Sequence, residues 1–185
     1  MDYFESYTGI DYSSELIKYA EARNISSTNF ICSNIKDFDP QGTKFDLILM
    51  VGVLHHVDDV GSVLNRIKDF GDKDSLYCFI EPQAGNPVIG LLRAIRKITD
   101  RKYSEDQVYF KKNQILRLFE DSGYSISKIK FQGYLSTPFA QVIIRPKFIS
   151  YPLTLLSIAA DRFIQKFLNN PLSWNIIWVA KKSEK

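Results

Sequence analysis

Apolar and polar positions follow two alternating rhythms along the first half of the chain. "YTGID" (7–11) reads as a short strand, and Ser13 or Ser14 can cap the helix behind it. Leu16, Ile17, Ala20 and Ile25 recur at helical spacing, with Glu15, Lys18 and Glu21 turned outward. "NFICSN" (29–34) predicts a second strand, ended by the turn-rich "DFDPQGTK". "FDLILMVG" (45–52) is almost continuously apolar, the pattern of a parallel strand covered on both faces. Val53, Leu54, Val57, Val60, Val63, Leu64 and Ile67 predict a helix ending near Gly71, and "SLYCFIEP" (75–82) a fourth strand.

The second half changes character. Residues 88–98 and 111–121 read as amphipathic helices, the latter stopped by Gly123. "YSISKIKFQGY" and "WNIIWVAKK" alternate as strands and predict an antiparallel edge hairpin, split by an insertion over about 136–173 with a helix at 153–168. The alternation predicts one α/β domain over 1–185, a Rossmann-like, doubly wound, mostly parallel sheet with an antiparallel C-terminal hairpin. Residues 1–82 form its ligand-side half and 83–185 its substrate-side half.

Composition narrows the function little. With 45% hydrophobic residues among 185, the chain can build a sizeable core. The balance of 24 basic and 21 acidic residues gives +3, too mild to indicate nucleic acid as a partner. Cys32 and Cys78 sit in apolar runs without metal-ligand spacing, so reduced core thiols and a cytoplasmic location are expected, and no metal site. The N-terminus lacks the pattern of a signal peptide, and "FISYPLTLLSIAA" is too short to span a bilayer.

In a doubly wound sheet, ligands sit beyond the carboxyl ends of the strands. Three such ends carry suitable chemistry. Asp11 can accept the hydroxyls of a ribose, or merely assist the helix cap. Asn34 can pair with an adenine edge beside the backbone N–H of Ile35, or form a turn. Val51 precedes Gly52, where a ligand can approach closely.

"YTGIDYSSELIKYAEAR", "NFICSNIKDF" and "KFDLILMVGVLHHVDDVGSVLNRIKDF" resemble, in order and spacing, motifs of class I S-adenosylmethionine-dependent methyltransferases, in their small-molecule branch. The resemblance covers residues 7–82 closely and the final hairpin in outline. It implies S-adenosyl-L-methionine as cofactor, with Asp11 and the adjacent Tyr12 at its ribose, Asn34 and Ile35 at its adenine, and Val51 lining the site. Family members begin with a strand and a glycine-rich loop. The chain lacks both, so it resembles an N-terminally truncated member, a truncated product or an upstream-shortened gene, with activity expected to suffer.

His55 and His56, the two histidines, are catalytic candidates at a helix start, as a general base or as plain fold features. On a helix, neighbours point about 100° apart, so one of them at most faces the cleft. Seven basic residues between Arg93 and Lys112 could receive an anionic group, lean toward an acidic membrane surface or form a solvated face. The helix at 153–168 offers one broad apolar face, opposite Ser157, Asp161, Gln165 and Lys166. Core packing is the default for it; a lid over a small or lipid-like acceptor, docking on a partner and peripheral membrane contact are the other uses. The two functions this leaves are methyl transfer to a small or lipophilic acceptor and a non-catalytic binding module.

Overall fold

The computed structural model describes residues 4–84, 86–87, 110–136, 147–167 and 172–183. They belong to two units, Met1–Lys44 and Phe45–Lys185. The helix expected at 88–98 and the basic stretch up to Lys102 lie outside the described residues.

The first unit is a strand–helix–strand piece. β1 (Tyr7–Asp11) and β2 (Thr28–Cys32) pair in parallel, from Tyr7 opposite Thr28 to Asp11 opposite Cys32. α1 (Ser14–Glu21) connects them, capped by Ser13, whose hydroxyl accepts from the Leu16 N–H at 3.3 Å. Gly9 is required by close approach: a Cβ there would lie 2.7 Å from the Phe30 ring. Ile17 alone of α1 is buried, while Leu16 and Tyr19 are exposed. The helix stops before Ile25 because Asn24 takes a positive φ of 50°. Cys32, expected in a core, is exposed at the strand end; Cys78 is half-buried, and both are free thiols.

The second unit carries a four-stranded sheet. In chain order it runs β3 (Leu47–Val51), a 3-10 turn (Leu54–His56), α2 (Val60–Lys68), β4 (Leu76–Pro82), α3 (Lys112–Asp121), β5 (Tyr124–Gln132), α4 (Lys147–Phe167) and β6 (Asn175–Lys182). The strand order is β3-β4-β6-β5; β3 and β4 are parallel, and β6 is antiparallel to both neighbours. The closing pair is therefore antiparallel as expected, but β6 lies inside the sheet, and of the two only β5 is an edge, with β3 at the opposite end. The β5–β6 register shifts between Ile126 and Lys128, a local irregularity in the edge strand.

One face of this sheet is the core. Phe79 of β4 stacks on Trp178 of β6 at 5.3 Å between ring centres, and Phe119 of α3 meets both rings edge-on at 4.8 and 5.3 Å. Each such burial contributes about 2–3 kcal/mol, with up to about 1 kcal/mol more per aromatic pair. Val63, Leu64 and Ile67 of α2 are fully buried, and two tyrosines tie that helix to the sheet. Tyr77 Oη donates to Lys68 O and Tyr124 Oη to Leu64 O, each at 2.8 Å. Burial holds both phenols above their ordinary range, Tyr77 at about 12.

Three expectations change in this unit. β3 is not covered on both faces: Leu47, Leu49 and Val51 stay 56%, 51% and 57% exposed, while Met50, on the opposite face, is buried opposite Phe79. The helix expected from Val53 onward is broken into the 3-10 turn and α2. Val57 between them is extended, and Asp59 starts α2 by accepting from the Ser62 N–H at 2.9 Å. The insertion helix begins at Lys147, six residues earlier than expected, and runs through Pro152.

Candidate functional site

The parallel pairing of β1 and β2 brings the sequence-predicted residues of the first unit to one strand end. The Ser33 N–H donates to Asp11 O at 2.9 Å, so the Ser33–Ile35 turn begins beside Asp11. Asp11 is half-buried, and its Oδ1 accepts from the Ser13 N–H at 2.8 Å. Its other carboxylate oxygen has no partner among the described residues. Tyr12 is 81% exposed, with its ring free of the core and its carbonyl accepting from the Cys32 thiol at 3.5 Å. Asn34 is exposed and shapes the turn: Oδ1 accepts from the Lys36 N–H at 2.9 Å, and its carbonyl from the Asp37 and Phe38 N–H groups. The Asn34 amide NH₂ and the Ile35 N–H have no partner among the described residues. A carboxylate oxygen and two donors thus stand open at one end of a parallel pair.

In the second unit the ends of β3 and β4 hold a different set. Val51 closes β3 and is exposed. Gly52 follows with φ 64°, a left-handed conformation that suits glycine, and its N–H donates to Ile80 O at 2.8 Å. The chain then enters the 3-10 turn, whose start is held from the neighbouring strand. Glu81 of β4 is 0% exposed; its Oε1 accepts from the N–H groups of Val53 at 2.9 Å and Leu54 at 2.7 Å. Its Oε2 lies 2.7 Å from Nδ1 of His55, which is itself buried. A buried carboxylate is tolerated only when saturated with donors, and this one has three.

His56 lies at the surface against its neighbour, the two rings 3.9 Å apart and inclined by 40°. They do not splay apart, as successive residues of a regular α-helix would. Desolvation first, and then the adjacent His55, hold His56 below its ordinary value of 6.5, while Glu81 pulls it back upward. Two chemical settings result: an imidazole oriented by a carboxylate, and a surface imidazole whose protonated form is disfavoured.

Sequence reasoning missed Glu81. Its signal was present in "LYCFIEP", where Tyr77, Phe79 and Glu81 alternate onto one face. A carboxylate on an otherwise aromatic, buried face demands partners, and the donors of the following-turn backbone and His55 supply them. Neither of two surface hollows includes these residues. One lies among Asp58–Gly61, Phe110, Gln114 and Leu118, the other among Phe4, Tyr7, Leu16, Tyr19 and Phe30 with their neighbours. Among the described residues no group of three or more His, Cys, Asp or Glu could hold a metal ion.

Comparison with known proteins agrees with this layout. Residues 1–79 match the family model described as a methyltransferase domain. No curated protein matches the chain in sequence. Among solved structures it is similar to the CMeT domain of the citrinin polyketide synthase, with TM-score 0.60 and 15% identity, covering 97% of this chain and 40% of that one. It is similar to magnesium protoporphyrin IX methyltransferase from Synechocystis PCC 6803 with bound SAH, with TM-score 0.57 and 12% identity, covering 95% of this chain and 64% of that one. It is also similar to a [4+2]-cyclase, with TM-score 0.60 and 18% identity, covering 96% of this chain and 67% of that one. The chain spans less than two thirds of the length of the first two. Residues 1–79 thus match a methyltransferase-domain model, and nearly the whole chain shares the Rossmann-like α/β fold of these structures.

Proposed function

We propose that the chain binds S-adenosyl-L-methionine and serves methyl transfer to a small acceptor. The observation that carries this reading is the strand end of the first unit, where the Asp11 carboxylate, the Asn34 amide and the Ile35 N–H stand together with polar groups unmet. A ribose diol suits the open oxygen of Asp11, and an adenine edge suits the donors of Asn34 and Ile35. Tyr12 would border the ribose. When bound, the cofactor supplies a methyl group already activated on a sulfonium.

The protein's own part is binding, orientation and proton handling. With Nδ1 held by Glu81, His55 is the candidate general base of the second unit, the group that would take a proton from an acceptor hydroxyl, amine or acid carbon. Glu81 is the positioning residue, because it fixes both the turn backbone and the His55 ring.

The second reading is a non-catalytic binding module; the fold also occurs in a protein named as a [4+2]-cyclase, so it is not tied to methyl transfer. Calorimetric titration with S-adenosylmethionine and S-adenosylhomocysteine separates the two. Micromolar binding is expected, weakened about 10- to 100-fold by Asp11→Ala, as for loss of hydrogen bonds to a charged group. Absence of heat at millimolar cofactor removes the methyl-transfer reading for this chain.

A further inference from the structure

α4 is turned inside out. Among its best-buried positions are Ser157 and Asp161, at 6% and 4% exposed, whereas Phe148, Tyr151, Leu156, Phe163 and Phe167 keep 65–77% of their surface. The apolar face read from the sequence is real, but it does not pack into the core. At about 100° per residue, the exposed apolar positions sweep more than half of the helix circumference.

The inward face is saturated, so the orientation is built and not incidental. Thr154 Oγ1 donates to Ser150 O at 2.8 Å, and Ser157 Oγ to Thr154 O at 2.7 Å. Asp161 holds the turn after β5: it accepts from the N–H groups of Tyr134 at 3.1 Å, Leu135 at 2.7 Å and Ser136 at 3.1 Å, and from the Ser136 hydroxyl. Rotating α4 to bury its apolar side would strand that carboxylate and release three backbone donors.

The outward surface also has one sign of charge. Asp161 is the helix's single acidic residue and is committed inward, while Arg162 and Lys166 lie exposed. A partner helix covers a narrow seam, whereas the boundary between headgroups and acyl chains accepts a half-cylinder of apolar side chains. No helix among the described residues is long and apolar enough to cross a membrane. We propose that α4 lies in the plane of an anionic membrane surface, its apolar side against the acyl boundary and Arg162 and Lys166, which lie within that apolar arc, reaching outward along their stems to the headgroups. This surface stands apart from the methyl-transfer reading and is tested without it.

The test is flotation of the whole chain with vesicles of phosphatidylcholine, alone or mixed with phosphatidylglycerol. The mixed vesicles are expected to bind the chain at least about tenfold more tightly. The double variant Leu156→Asp/Phe163→Asp should lose at least about tenfold of that binding while keeping its circular dichroism and melting midpoint, since both residues are exposed. Arg162→Glu/Lys166→Glu should abolish the preference for the anionic mixture. Binding to neither vesicle overturns the proposal, and so does a stable dimer in ultracentrifugation that ignores vesicles, which would assign the face to a second copy.

Discussion

α3 and α4 are both amphipathic, both belong to the second unit, and they face opposite ways. α3 turns Ile115 and Phe119 into the aromatic core and leaves Lys112, Asn113, Arg117 and Glu120 to solvent. α4 turns Ser157 and Asp161 inward and leaves its phenylalanines outside. Two helices with comparable faces thus obey different masters: apolar burial for α3, and for α4 one carboxylate gathering three backbone N–H groups. Amphipathicity establishes that a helix has two sides; the partners available to the polar side decide which one turns inward.

The comparison breaks most sharply at two phenylalanines. Phe119→Ala should cost about 3–5 kcal/mol in urea unfolding, because it empties a space against the stacked rings of Phe79 and Trp178. Asp161→Ala should cost about 2 kcal/mol by the same measurement, since it leaves the Tyr134, Leu135 and Ser136 N–H groups without their acceptor. It should also let α4 rotate, seen as altered accessibility of its tyrosine and phenylalanines to limited proteolysis. Phe163→Ala should change stability by less than about 0.5 kcal/mol, as for an exposed site. If Phe163→Ala proves as costly as Phe119→Ala, α4 packs inward after all and the contrast disappears.

The same contrast explains what was legible in the sequence. Strands announced themselves wherever apolar runs met turn residues: β1, β2, β4, β5 and β6 lie close to their expected places. α3 was readable because apolar spacing and burial agreed. The 53–67 region was not, because its apolar spacing continues through Val57, while the backbone is redirected by Glu81, more than two dozen residues downstream in the chain. Long-range acceptors of that kind leave no local trace. β3 misled for a related reason: a continuous apolar run states that burial is tolerable, not that both faces find cover. Asp11, Asn34 and Ile35 meet at one strand end, a placement that follows from parallel β1–β2 pairing and that the motif order anticipated. Of the two histidines, the sequence offered no means to choose; Glu81 distinguishes them by reaching His55.

The irregular outer strand has a consequence for how the protein behaves in a crowded solution. β5 ends the sheet on one side, its register slips between Ile126 and Lys128, and Lys128 and Lys130 stand exposed along it. A twisted, cationic rim is a poor template for recruiting a strand from another molecule. β5 thereby guards its own edge against pairing with another molecule, while β3 ends the sheet on the other side.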